Sequence, residues 1–87
     1  MAASQLRSVT ATASYVALAD IPATRVSILN QTGALLSIEM VNDQGGGNEI
    51  VLTNLASVGV STVASAKEIR IKSTNGGTTG VYIVIDN

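Results

Sequence analysis

The sequence has no cysteine, histidine, tryptophan or phenylalanine, and two tyrosines are its only aromatics. Without thiols or imidazoles there is no disulfide, no thiol nucleophile, no imidazole base, and no zinc, haem or iron–sulfur site built on those side chains. Charge is scarce as well. Five Lys/Arg and six Asp/Glu make 13 % of the chain, against roughly 25 % in an average soluble domain. A net charge of −1 with scattered basic residues argues against nucleic acid, whose phosphates require a basic patch. Long apolar runs are missing too. Val81 to Ile85 is far below the roughly 18 residues needed to cross a bilayer, and Met1 to Arg7 lacks the apolar stretch of a secretory signal. The six carboxylates lie in separate segments, and nine serines have no histidine to activate them. No catalytic residue, cofactor, metal ligand or small-molecule substrate is expected.

What is present points to β-structure. Val, Ile and Thr make up 27 of the 87 residues, and β-branched side chains suit a pleated surface. Turn residues punctuate the chain at Pro22, Gly33, Gly45 to Gly47 and Asn75-Gly76-Gly77. Between them lie seven strand candidates: Ser14 to Ala19, Thr24 to Asn30, Leu35 to Val41, Glu49 to Thr53, Val58 to Val63, Lys67 to Ser73, and Val81 to Asp86. In the sixth, Ile69 and Ile71 alternate with Glu68, Arg70 and Lys72. Asn75-Gly76 is a strong hairpin signal. About seven short strands at this spacing predict an all-β domain, a small antiparallel β-sandwich or jelly-roll-like barrel. Residues 14–87 form that domain. Residues 1–13, rich in Ala, Ser and Thr, are expected to be an extended N-terminal arm.

Several local features have candidate roles. The loop Asn42 to Glu49 carries oxygen ligands around its three glycines but lacks an EF-hand spacing, and a hairpin tip is the simpler reading. Asn30-Gln31-Thr32 matches a glycosylation acceptor, yet a turn that ends a strand at Asn30 and gives Gly33 a positive φ fits better. Glu68, Arg70 and Lys72 form a charged strand face. Arg7 and Arg25 are possible interface anchors, and Tyr15 is expected to be a packing residue.

Two segments, Ile50 to Leu52 and Val81 to Ile85, are apolar at consecutive positions, so each strand is either covered on both faces or set against another subunit. A chain this small, without Phe, Trp or disulfides, gains most from oligomerisation. The expected interface comprises Leu6, Arg7 and Val9 of the arm, Tyr82 and Val84 of the last strand, and Arg70.

The run Pro22 to Ala34, PATRVSILNQTGA, resembles a pattern in small structural proteins of tailed bacteriophages. There an Arg-Val-x-Ile-x-Asn strand leads to a Thr-Gly turn. The resemblance continues through Leu52 to Val63, the Ala-Lys-Glu-Ile-Arg-Ile-Lys strand at Ala66 to Lys72, and the closing apolar strand, and it covers roughly Tyr15 to Ile85. It implies a non-enzymatic virion protein, foremost a head decoration (cement) protein on the capsid surface. Such a protein would form homotrimers or homodimers and bridge subunits of the major capsid protein. A tail, neck or fibre component is the nearest alternative, and a lectin-like or adhesion module is a more distant one.

Overall fold

The structure, a computed structural model, describes residues 4–41, 49–62, 64–73 and 79–87. Among the described residues eight strands follow one another: β1 (Ser4–Val9), β2 (Val16–Ala17), β3 (Arg25–Asn30), β4 (Leu36–Met40), β5 (Ile50–Leu52), β6 (Ser57–Ser61), β7 (Ile69–Ser73) and β8 (Val81–Asp86). They form two four-stranded sheets in the orders β1-β8-β3-β6 and β2-β7-β4-β5. Every pairing is antiparallel. This is the jelly-roll order, in which strands one to four pair with eight to five as one long hairpin rolled on itself. The all-β sandwich expected from the sequence is present.

Alternation builds it. Val26 and Ile28 of β3, Ile69 and Ile71 of β7, and Val81, Ile83 and Ile85 of β8 are buried, while their sequence neighbours point outward. Leu36 and Ile38 of β4 with Leu52 of β5 complete the core, which contains no aromatic side chain. Each such aliphatic side chain contributes about 1.5–3 kcal/mol on leaving water.

Three expectations are revised. The eighth strand is β1, inside the predicted arm, and it runs in register along β8 from Ser4↔Asp86 to Val9↔Val81. Ala11, just beyond it, is fully buried. The expected alternation of Glu68 with Arg70 and Lys72 fails at its first residue, because Ala66–Glu68 is a 3-10 turn. The Glu68 carboxylate accepts the backbone N–H groups of Ala64 (2.8 Å) and Ser65 (3.1 Å), and so satisfies donors at the start of that turn. The strands on either side of Asn75-Gly76, β7 and β8, belong to different sheets and do not pair with each other as a hairpin. Residues 74–78 themselves lie outside the described residues, as does Gly45 to Gly47. The strands flanking that glycine triplet, β4 and β5, do pair.

Gly33 has φ +81°, as the turn after Asn30 requires. Asn30 is fully buried, which removes it from any glycosylation chemistry in the folded chain.

Candidate assembly surface

The two sheets turn very different outer faces to solvent. On the β1-β8-β3-β6 sheet, directly opposed residues share a face, and the buried set fixes which residues point out. Three rows result. One is Ser4, Asp86, Arg25 and Ser61; the next is Leu6, Val84, Ser27 and Gly59; the third is Ser8, Tyr82, Leu29 and Ser57. Serine and glycine keep the face low, and four apolar side chains stand on it. Leu6 is 74 % exposed. One cation and one anion, Arg25 and Asp86, sit side by side at one end.

Arg25 lies flat on this face. A Cβ placed on Gly59 would come within 2.1 Å of its guanidinium, so the guanidinium rests where any other residue at position 59 would put a side chain. Asp86 is steadied by the hydroxyl of Ser4, which donates to its carboxylate.

The opposite outer face, on the β2-β7-β4-β5 sheet, combines a network of paired charges with one exposed apolar residue, Val51 of β5, which stands opposite Ser37. Arg70 of β7 donates to Glu39 of β4 at 2.9 Å, with side-chain exposures of 24 % and 11 %. The ring of Tyr15 covers this region. The Lys72 ammonium lies 4.6 Å from its centroid and the Arg70 guanidinium 5.6 Å, distances at which a cation is attracted to the ring face. The Tyr15 hydroxyl donates to Glu49. Burial, followed by the Glu49 and Glu39 carboxylates, pushes the Tyr15 phenol above its ordinary value near 10. Tyr15 is thus a packing residue, as expected.

The expected interface residues separate accordingly. Leu6, Val84 and Tyr82 come together on the flat face. Arg7 and Val9 belong to the other side of β1, opposite the inward-facing Ile83 and Val81; Arg7 donates to Gln5 (2.7 Å), and Val9 packs against the core. Arg70 sits on the second sheet, engaged with Glu39. Sequence reasoning missed Leu29, Ser27, Gly59 and Asp86 as parts of the flat face. The pairing of β1 with β8 defines that face, and no local pattern encodes it.

Every described carboxylate has a structural partner. Asp20 accepts from the Ser65 hydroxyl (2.8 Å) and pairs with Lys67 (3.6 Å); the Ser65 hydrogen bond and the Lys67 charge hold its carboxyl below the usual range. Glu39, Glu49, Glu68 and Asp86 are held as described above. Among the described residues no three His, Cys, Asp or Glu side chains are grouped to hold a metal ion.

No protein-family model matches the chain, and no curated protein matches it. Among solved structures, the chain is similar to one described by the words "Bacillus endospore appendages form a novel family of disulfide-linked pili". The TM-score is 0.65 at 17 % identity, with 99 % of this chain and 84 % of that chain covered. The likeness is one of fold. Disulfide linkage is closed to the present chain, which has no cysteine.

Proposed function

We propose that this chain is a non-catalytic structural subunit that binds copies of itself into a larger protein assembly. One observation carries the reading: the outer face of the β1-β8-β3-β6 sheet gathers Leu6, Val84, Tyr82 and Leu29 among serines and a glycine, with Arg25 and Asp86 at one end, and leaves Leu6 and Tyr82 exposed. Apolar side chains clustered on an open sheet face offer a surface that another chain can cover. The commitment of every described carboxylate to a structural bond supports the absence of catalysis.

Two placements fit. A fibre or surface appendage is favoured by the shared fold with the pilus protein. A capsid decoration protein, bound to the major capsid protein on a virion surface, rests on the phage resemblance of Pro22 to Ala34. In both, assembly is non-covalent and draws on many weak contacts whose avidity adds.

Light scattering after size exclusion, over a concentration series, followed by electron microscopy of the concentrated protein, tests the reading. Oligomers that grow with concentration are expected. Fibres on the grid select the appendage placement. Compact oligomers that bind emptied phage heads select the capsid placement. A monomer at every concentration that also binds no phage particle rejects the reading.

A further inference from the structure

The flat face is complementary to itself, and that complementarity assigns its occupant. We propose that the outer face of the β1-β8-β3-β6 sheet binds the same face of a second copy about a two-fold axis lying between them, parallel to the strands. This deepens the reading of the chain as a self-assembling subunit and rests on it.

Rotation about such an axis keeps each row and reverses the order of strands. β8 then faces β3 of the second copy, and β1 faces its β6. Asp86 comes opposite the second copy's Arg25, and Arg25 opposite its Asp86, so the two charges on the face meet with opposite sign twice. Large residues meet small ones in the middle row. Val84 stands over Ser27, and Leu6 stands over Gly59. As the Arg25 guanidinium leaves its rest above Gly59 for the carboxylate opposite, it opens the hollow that Leu6 enters. In the third row, Tyr82 lies on Leu29. A two-fold axis perpendicular to the strands would bring Asp86 and Arg25 against the apolar row and leave both unpaired.

The size of the face sets the strength. Four strands about 4.8 Å apart and five residues at about 3.4 Å cover roughly 300 Å² per copy, well under the roughly 1,200 Å² total of a stable pair. The contact is therefore weak and concentration-dependent, suited to an assembly in which other contacts reinforce it.

Sedimentation equilibrium on the full chain, Arg25→Asp, Asp86→Arg and an equimolar mixture of the two variants tests this register, with circular dichroism confirming the fold of each. Wild-type protein is expected to dimerise at high concentration. Each variant alone sets two like-charged pairs across the axis, and its dimerisation should weaken about tenfold or more. In a mixed dimer the unaltered Asp86 of one variant meets the unaltered Arg25 of the other. The two substituted side chains meet each other with their charges exchanged, so both pairs are again of opposite sign and mixed dimers should recover the wild-type level. Because both variants keep their own in-chain charge clash, that recovery reports only the contact between copies. Variants that associate as strongly as wild type, or a mixture that fails to recover, overturn the proposed register and leave the structural role standing on another contact. A wild-type chain that stays monomeric throughout overturns the proposal, and if it also fails to form fibres or bind phage heads, the structural role falls with it.

Discussion

The side-chain amide of Asn30, the last residue of β3, donates a 2.9 Å hydrogen bond to the carbonyl of Leu52, the last residue of β5, and so joins the two sheets at one end of the sandwich. The same amide donates to the Ala34 carbonyl at 2.7 Å. Its oxygen accepts from the Thr32 backbone N–H (3.0 Å) and hydroxyl (2.7 Å). A fully buried amide with all its bonding capacity used is stabilising as a unit, because losing it orphans the buried Leu52 carbonyl and part-buried groups of Thr32 and Ala34. Asn30→Ala should cost about 2–4 kcal/mol. Asn30→Asp should cost as much, since a carboxylate cannot donate to the two carbonyls. Urea unfolding of both variants measures this, and a loss under about 0.5 kcal/mol would show that water replaces the amide.

Tyr15 makes stability depend on alkaline pH. Its folded value is raised above the ordinary value near 10. Below that pH the phenol is neutral in both states, and its full contribution to stability is present. Above it the unfolded chain loses the proton while the folded chain retains it, so stability falls as pH rises toward the folded value. Tyr15→Phe should flatten that alkaline loss. Tyr82→Phe leaves Tyr15 as the only tyrosine, and its tyrosinate absorbance should appear only at a pH well above the ordinary value near 10. Tyrosinate at the pH of a free phenol would mean that the hydroxyl is neither buried nor held against Glu49.

Two glycines with positive φ should respond unequally to substitution. Gly33 (φ +81°) has nothing within 4 Å of an added Cβ, whereas at Gly80 (φ +95°) the Cβ would lie 2.4 Å from the Gln31 carbonyl oxygen. The Gly80 carbonyl also accepts the Gln31 N–H at 2.8 Å, so the two backbones cannot easily move apart. Gly33→Ala should cost only the left-handed strain, about 1 kcal/mol. Gly80→Ala should cost about 3 kcal/mol or more, or prevent folding. Thermal unfolding of both variants tests the contrast, and equal losses would contradict the close approach at Gly80.

Gly33 is legible in the sequence and Gly80 is not, and the difference is general to this fold. The turn Asn30 to Gly33 is local, so its residue types reveal it. Gly80 matters because residue 31 passes beside it, and that approach depends on how the long hairpin rolls up. The alternation that marks the core in β3, β7 and β8 is readable for the same local reason. Glu68 reads as a strand residue because a strand pattern and a capped turn overlap at Ser65 to Glu68, and hydrogen bonds to backbone N–H groups decide between them. Of the flat face, Leu6, Tyr82 and Val84 are readable as large apolar residues in an otherwise small-residue segment or a doubly apolar strand. Ser27, Gly59 and Asp86 carry no sign of their role until β1, β8, β3 and β6 stand side by side.

Residues 4–9 should prove part of the folded sandwich rather than a detachable arm. β1 satisfies the edge of β8 along six residue pairs, and Val9 packs on the core while Ala11, which follows, is fully buried. Removing residues 1–9 would bare Tyr82 to Asp86 as an apolar edge, the kind of edge that pairs with other chains. It would also delete one of the four columns of the flat face. The truncated chain is expected to melt at a lower temperature and to aggregate, and a synthetic peptide of residues 1–13 added in excess should reverse both effects by reoccupying the edge. An unchanged melting temperature with no aggregation would mean that β8 does not need β1, and that Leu6 reaches the flat face only as a loosely held arm.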